Sequence, residues 1–277
     1  MRSSRRTVVT TLSALTLAAA ALAGCGSGAT SSQASATADD QASATSLSGE
    51  LTVFAAASLQ DAFEELADDF TAQHPDLSVT FDFQGSQDLV SALAEGSTAD
   101  VLATANTSTM KDATEQDLVG QSTEFATNVL TLIVPAGNPA GVTGLDSSLE
   151  GADLVICAPA VPCGEATAKL ADELGVTLSP VSEEQKVTDV RGKVESGEAD
   201  AGIVYTTDAA DAGDKVESIA LPDNSVVNHY PIAVTKNAAQ AEAAQAEAAQ
   251  AFVDFILSEA GQKVLQDTYG FGAPASK

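Results

Sequence analysis

The chain has 277 residues, of which 44% are hydrophobic, and it carries 39 acidic against 12 basic residues for a formal net charge of −27. So acidic a chain excludes a nucleic-acid-binding role, because phosphate backbones would be repelled. The length is sufficient for two folded lobes.

The N-terminus has the pattern of an export leader. Three arginines precede an apolar run at 8–23, which is short for a membrane span and ends in a Leu-Ala-Gly-Cys box at Cys25. We therefore predict a lipoprotein signal peptide at 1–24, exported by the general secretory route rather than the twin-arginine route, and lipid attachment at Cys25. Residues 25–48 are mostly Gly, Ser, Ala, Thr, Gln and Asp, which predicts a flexible tether. The expected location is the extracytoplasmic face of the cell membrane, with a net charge of −30 once the three leader arginines are removed.

From about residue 49, short β-rich runs alternate with helical patterns, which is typical of an α/β protein with mainly parallel sheets. The predicted strands are 51–55, 78–83, 101–104, 129–134, 154–158, 202–205, 216–220 and 230–235. The predicted helices begin near Leu59 and at Ser86, and further helices are expected over 164–174, 190–195 and a long alanine-rich stretch from 238 to about 256.

Few residues in the sequence suggest catalysis. The two histidines, His74 and His229, lie in unremarkable loop or strand-start positions, and no nucleophile elbow, phosphate loop or dinucleotide motif is present. After lipidation two cysteines would remain, Cys157 and Cys163, at a spacing that fits neither a zinc site nor a redox motif. In an oxidising compartment they would form a small-loop disulfide, or they would stay as two buried thiols. We predict a protein that is not an enzyme, with no catalytic residue and no cofactor.

Several predicted helices start with hydrogen-bond donors directly after a strand. Ser58 follows an apolar strand and three alanines, at the position of an N-cap, and Ser86 repeats this arrangement after Gly85. The free N–H groups and partial positive charge of such a helix start suit an oxyanion. An ordinary helix cap is the alternative interpretation of each serine taken alone.

The second half of the chain offers similar features. A Val-Pro-Cys-Gly turn (161–164) and an Asp-Val-Arg-Gly turn (189–192) each lead into a predicted helix, and a buried strand ends at Tyr205. Together with the two serines, these groups would supply a cage of neutral N–H and O–H donors from both halves of the chain.

In their order and spacing these motifs resemble the periplasmic molybdate-binding proteins of ABC transporters. The resemblance extends from about residue 51 to 270. It rests on segments 53–59, 83–86, 99–101, 161–164, 189–192, 202–205, 230–234 and 269–271.

The resemblance implies a two-lobed periplasmic-binding-protein fold of type II, in which each lobe is a mixed, mainly parallel sheet flanked by helices. Two hinge crossings would divide the chain into lobe one, at 49–127 plus 232–277, and lobe two, at 128–231. The implied ligand contacts are the hydroxyl and N–H groups of Ser58 and Ser86, the N–H groups of Cys163 and Val190, and the hydroxyl of Tyr205.

The implied function is capture of molybdate, and also tungstate, for import by an ABC permease and ATPase, by a monomer that a lipid anchors to the membrane. Apart from the Mo or W of the oxyanion, no metal is expected. A receptor for sulfate or another tetrahedral oxyanion is the alternative. The chain departs from the family at Cys163, where alanine is frequent, and at Gly85, near which serine is frequent. Arg191 is expected to be a structural or interlobe residue rather than a ligand.

Overall fold

The structure is a computed structural model that describes residues 47–275. The predicted signal peptide, almost all of the predicted tether and Cys25 lie outside the described residues. Within residues 47–275, none of the helices combines the length and the apolar character that a membrane crossing requires.

The strands of the described residues form two sheets of five. In chain order they are β1 (Ser48–Ala56), β2 (Asp76–Gln84), β3 (Val101–Ala103), β4 (Thr123–Asn128), β5 (Leu130–Pro135), β6 (Leu154–Cys157), β7 (Ser182–Glu184), β8 (Ala201–Tyr205), β9 (Val216–Ile219) and β10 (Asn228–Val234). The first sheet has the order β2-β1-β3-β10-β4, and the second has the order β7-β6-β8-β5-β9.

Helices flank both sheets. They are α1 (Gln60–Gln73), α2 (Ser86–Ala94), α3 (Thr107–Glu115), α4 (Pro162–Leu174), α5 (Val187–Glu195), α6 (Thr206–Ala212), α7 (Lys236–Gln240), α8 (Ala243–Leu257) and α9 (Glu259–Lys263). Helices α4 to α6 pack on the second sheet, and α1 to α3 and α8 pack on the first. We call the first sheet with its helices lobe one and the second sheet with α4 to α6 lobe two.

The predicted α/β fold with two mixed sheets is confirmed. Strand β1 is parallel to β2 and β3, and β6 is parallel to β7 and β8. Strand β10 is antiparallel to β3 and β4, and β5 is antiparallel to β8 and β9. Within residues 47–275, parallel and antiparallel strand pairs are therefore equal in number, whereas we predicted mainly parallel sheets. The antiparallel pairs arise because β5 and β10 enter their sheets directly from the other lobe.

The chain passes between the lobes twice in the described residues, after β4 and before β10. At these crossings Asn128 and Asn228 face each other in register at the ends of the two antiparallel strands. Residues 228–231, which we predicted to belong to lobe two, form the first part of β10 in lobe one. The crossing into lobe one therefore lies earlier than the predicted boundary, because ladder pairing with β4 begins at Asn228.

Aromatic side chains form the centre of the lobe-one core. Helix α1 buries an apolar stripe at three- and four-residue spacings, including Phe63 and Phe70. The ring of Phe63 lies 5.7 Å from that of Phe125 and 6.2 Å from that of Phe252 on α8. These contacts fix α1 and α8 against the sheet, and they thereby hold the turn between β1 and α1 in place.

Some elements differ from the prediction. Strands β4 and β7 and helices α3 and α6 were not predicted, because their sequences are short and polar. The long C-terminal helix is interrupted: Thr235 caps α7 by accepting a hydrogen bond from Ala238 N at 3.2 Å, and Ala241, with ψ −172°, ends it before α8 begins. Helix propensity alone favoured one continuous helix, and tertiary packing divides it.

Candidate functional site

A narrow cavity lies between the lobes, at the carboxyl ends of the parallel strands. Loops at this edge of an α/β sheet are the usual ligand-binding position. The lining residues follow β1, β2 and β3 in lobe one, and in lobe two they lie at the starts of α4 and α5 and at the end of β8. They are Ala56, Ala57, Ser58, Gln84, Gly85, Ser86, Ala105, Val161, Pro162, Cys163, Lys186, Val187 and Tyr205.

The cavity volume is about 10 Å³, which is the room of about one water molecule. A tetrahedral oxyanion is larger, so its entry requires the two lobes to separate. The structure therefore has the geometry of a closed clamp.

Ser58 lines the cavity, but it is not a helix cap. The chain first makes a 3₁₀ turn at Ala57–Leu59, and α1 begins at Gln60 after Leu59. The predicted N-cap role was wrong because this additional turn moves the helix start beyond the serine. The Ser58 hydroxyl instead shares a hydrogen bond with the Tyr230 hydroxyl, at an O–O distance of 3.0 Å.

Ser86 is the first residue of α2, with Gly85 as the N-cap. Its side chain is buried, and its Oγ accepts a hydrogen bond from Ala105 N at 3.0 Å. The hydroxyl hydrogen therefore remains available for a ligand, and the Ser86 N–H is one of the first-turn donors without an intrahelical acceptor.

Cys163 is the second residue of α4, so its N–H also precedes the intrahelical ladder. Its side chain forms a disulfide with Cys157 at the end of β6, the first of the two states that the sequence left open. Next to it, Gly164 lies so close to the β6–α4 turn that an added Cβ would be 1.9 Å from Ala158 O. The bridge and this close approach together fix the start of α4 relative to β6.

Val190 does not line the cavity. Helix α5 begins at Val187, one turn earlier than the Asp-Val-Arg-Gly motif suggested, so the Val190 N–H lies within the helix. The Val190 side chain is buried against Gly202 of β8, where an added Cβ would be 2.9 Å from Val190 Cγ1. Val187, the first residue of α5, lines the cavity, and its N–H precedes the intrahelical ladder.

Tyr205 ends β8 and is almost fully buried. Its hydroxyl oxygen accepts a hydrogen bond from Asn228 Nδ2 at 2.9 Å. Burial raises the pKa of Tyr205 well above its usual value, and the neighbouring Tyr230 and Asp208 raise it further. The hydroxyl therefore stays protonated and can donate its hydrogen to a ligand.

The two hinge asparagines were missed by the sequence analysis. Asn228 Nδ2 also donates to Ala105 O at 2.8 Å, so one amide connects the lobe-one wall with Tyr205 of lobe two. Asn128 Nδ2 donates to Thr207 Oγ1 at 2.9 Å, which joins the other crossing to the start of α6. Single asparagines at strand ends form no recognisable motif. The only signal in the sequence is that each is a polar residue next to an apolar run.

The lining residues within 47–275 include no carboxylate, and Lys186 is the charged residue among them. Arg191 faces elsewhere and forms ion pairs with Asp211 and Glu195 of its own lobe, both at 3.3 Å. Behind the cavity, Asp208 is buried, and burial raises its pKa to about 7 even though its Oδ2 accepts the Tyr205 N–H. The local environment of the cavity is thus nearly neutral, in contrast with the strongly acidic chain.

Comparison with known proteins identifies the family. The model of the bacterial extracellular solute-binding proteins matches residues 51–272. The chain belongs to this family. Members of this family are binding proteins rather than enzymes.

Two relatives are molybdate-binding proteins. The molybdate-binding protein ModA of Mycobacterium tuberculosis is 42% identical over 227 residues, which cover 81% of this chain and 85% of the relative. The molybdate-binding protein ModA of Haemophilus influenzae is 33% identical over 241 residues, with 82% and 91% covered. These matches confirm the resemblance that the sequence motifs indicated.

Solved structures share the fold. The periplasmic molybdate-binding protein of Azotobacter vinelandii has a TM-score of 0.68 at 19% identity, with 81% of this chain and all of that chain covered. The sulfate-binding protein SubI of Mycobacterium tuberculosis has a TM-score of 0.65 at 21% identity, with 80% and 86% covered. At these identities the likeness concerns the two-lobed fold and not the ligand.

Proposed function

We propose that the protein is the extracytoplasmic receptor that captures molybdate and delivers it to the permease and ATPase of an ABC importer. The observation that carries the proposal is the cavity between the lobes, which is lined by neutral donors from both lobes and by Lys186, and by no carboxylate among the described residues. The names of the relatives, at 42% and 33% identity, support molybdate as the ligand.

The oxyanion contacts that we propose are the hydroxyl and N–H groups of Ser58 and Ser86, the N–H groups of Cys163 and Val187, and the hydroxyl of Tyr205. Val187 replaces Val190 in this set, because it is the residue at the start of α5 that lines the cavity. Closure around the ligand removes water, and hydrogen bonds to the charged oxyanion are strengthened in the resulting low-dielectric site.

The arrangement of donors favours an unprotonated dianion. Ser86 Oγ and the Tyr205 hydroxyl each already accept a hydrogen bond from the protein, so both present hydrogen to the cavity. The proton of hydrogen phosphate would meet these donors without an acceptor, and an unpaired buried proton is costly. Molybdate and tungstate fit this chemistry, and sulfate, whose bonds are shorter, is the competing ligand that the cavity has to reject by size.

We further propose that residues 1–24 are removed as a signal peptide, that Cys25 carries a lipid, and that residues 25–48 tether a monomeric receptor to the membrane. The small-residue box before Cys25 and the polar composition of the tether support this assignment. Mass spectrometry of the membrane fraction should find a diacylglyceryl modification on Cys25, and recovery of the unmodified chain in the culture supernatant would contradict it.

Isothermal titration calorimetry of the mature protein with molybdate, tungstate, sulfate and phosphate tests the ligand. We expect one molybdate or tungstate per chain, much weaker sulfate binding and no response to phosphate. Tight binding of sulfate without binding of molybdate would overturn the assignment in favour of a sulfate receptor.

A further inference from the structure

A polar bridge joins the two lobes at the rim of the cavity, outside the proposed oxyanion contacts. Glu165 Oε2 on α4 of lobe two accepts hydrogen bonds from Asn106 Nδ2 at 2.7 Å and from Ser108 Oγ at 2.6 Å, both at the start of α3 in lobe one. We call these three residues the rim bridge. Neither Glu165 nor its two partners lines the cavity itself.

The lobe-one side of the rim bridge is held in place before any contact with lobe two. Asn106 is buried, and its Oδ1 caps α3 by accepting a hydrogen bond from Thr109 N at 3.2 Å. Its carbonyl oxygen accepts a hydrogen bond from Thr104 Oγ1 at 2.9 Å. The Asn106 amide is therefore already oriented for a carboxylate, and little conformational entropy is lost when Glu165 arrives.

The lobe-two side is an ionised carboxylate. Partial burial opposes the charge of Glu165, but hydrogen bonds from Lys169 and Ser108 outweigh it and lower the pKa of the carboxyl below its usual value. Lys169 Nζ binds the other carboxylate oxygen, Oε1, at 2.5 Å. Both bonds that cross the cleft are therefore charge-assisted, the stronger class of hydrogen bond.

The rim bridge is directly attached to both walls of the cavity. Asn106 follows Ala105, whose N–H orients Ser86 Oγ. Glu165 lies in the first turn of α4, two residues after Cys163. Separation of the lobes around the ligand must therefore break the rim bridge, and an intact bridge must keep these walls together.

We propose that Glu165 is a positioning residue that holds the lobes closed and thereby sets the rate at which the oxyanion dissociates, without touching it. This inference rests on the proposed function. It places control of ligand residence time at a residue of the rim, outside the proposed oxyanion contacts.

Stopped-flow kinetics of molybdate with the mature protein test the proposal. Glu165→Gln should raise the dissociation rate about tenfold, because two charge-assisted bonds become neutral, while the association rate changes less than about twofold. Glu115→Gln is the matched control: it removes the same charge from the same rim groove, but Glu115 pairs only with Lys111 of its own helix among the described residues. An unchanged dissociation rate in Glu165→Gln, with binding retained, overturns the proposal.

A double-mutant cycle separates bridging from a merely structural effect. Ser108→Ala should also raise the dissociation rate, and in the double variant with Glu165→Gln its effect should largely disappear, because the shared bond is already weakened. Fully additive effects would show that the two residues do not act across the cleft and would overturn the proposal.

Hydrogen exchange of the ligand-free protein makes the test independent of the ligand. Glu165→Gln should accelerate exchange of the amides at 104–109 and 161–166 relative to both wild type and Glu115→Gln, and equal exchange would overturn the proposal. If the wild type fails to bind molybdate at all, the proposed function fails, and this exchange comparison still decides the role of Glu165 in closure.

Discussion

Two hydroxyl groups at the cavity are oriented by neighbouring residues that donate hydrogen bonds to their oxygen atoms. The hydroxyl of Tyr205 accepts a hydrogen bond from Asn228 Nδ2, and Ser86 Oγ accepts one from Ala105 N. A hydroxyl whose oxygen accepts from the protein keeps its own hydrogen for another acceptor, and both residues line the cavity. We therefore expect these two hydroxyls to donate to a bound ligand rather than accept from it.

Tyr205→Phe tests this orientation. Removal of the hydroxyl should weaken molybdate binding by about 1.5–3 kcal/mol, the range for a hydrogen bond to a charged group. Calorimetry measures the change, and Tyr269→Phe is the matched control, because that hydroxyl donates to Glu65 away from the cavity. Equal dissociation constants for wild type and Tyr205→Phe would show that the hydroxyl is not a ligand.

Asp208 makes stability depend on pH. Burial raises the pKa of Asp208 from 3.8 to about 7, so the folded protein binds this proton more tightly than the unfolded chain. Its contribution to the free energy of unfolding is therefore most favourable below about pH 4 and is lost as the pH rises through 7. Asp208→Asn removes the titration and keeps an acceptor for the Tyr205 N–H.

The variant should be more stable than wild type by up to about 4 kcal/mol above pH 8, with the difference shrinking toward pH 4. Urea denaturation between pH 4 and 8 measures it, with the exposed Asp214→Asn as the control for loss of one charge. A pH-independent difference between Asp208→Asn and wild type would contradict this prediction.

At the scale of secondary-structure elements, the turns that follow parallel strands bring the two lobes into close contact. Gly85, between β2 and α2, lies against lobe two: a Cβ added there would be 2.3 Å from the backbone oxygen of Gln185. The glycine is required for this approach and not for an unusual backbone angle, since its φ is −59°.

Gly85→Ala should therefore hold the lobes apart and weaken molybdate binding by about 1–3 kcal/mol, the usual cost of overpacking. Each lobe should remain folded, so the circular dichroism spectrum should be unchanged while calorimetry shows the weaker binding. Gly192→Ala is the control, because a Cβ there meets nothing within 4 Å. Wild-type affinity in Gly85→Ala would mean that closure does not bring these backbones together.

The sequence predicted most elements of the fold because their apolar periodicity is strong, as in α1 and β8. It failed where the elements are polar: β7 reads Ser-Glu-Glu, and β4 reads Thr-Glu-Phe-Ala-Thr-Asn, in which only two residues are apolar. The start of α5 was misplaced because Val190 and Val187 are both apolar and one turn apart. Both side chains are buried, and only the tertiary structure shows that Val190 packs against Gly202 whereas Val187 lines the cavity.

The candidate site was predictable to the extent that serines and a tyrosine follow recognisable strands. Its supporting groups were not, since Asn128, Asn228 and Glu165 act over long sequence separations. Asn228 bonds Tyr205, and Glu165 bonds Asn106, only because two chain crossings bring the lobes together. A single sequence contains no local signal for such contacts.

On the scale of the whole molecule, a strongly acidic chain surrounds a cavity whose described lining contains no carboxylate and one charged residue, Lys186. A net charge of −27 repels an approaching dianion at long range, whereas binding depends on donors that act only at contact. Salt shortens the range of the repulsion, to about 10 Å at 0.1 M.

The association rate of molybdate should therefore rise with sodium chloride between about 10 and 200 mM, and the dissociation rate should change little. Stopped-flow measurements of wild type and Lys186→Gln test this, because Lys186 is the charged residue among the described lining residues. An association rate that falls with salt in wild type, and not in Lys186→Gln, would show that this lysine attracts the ligand more strongly than the whole chain repels it.

The side-chain amide of Asn228 links the opening of the two lobes to the release of the ligand. Its bond to Ala105 lies within lobe one, and its bond to Tyr205 crosses to lobe two. If the proposed permease separates the lobes, the bond from this amide to Tyr205 would break, and the tyrosine hydroxyl would be free to rotate. Release of the ligand would then require no competing ligand groups on the transporter. Bending of the hinge would by itself remove the hydrogen bond that orients the Tyr205 hydroxyl.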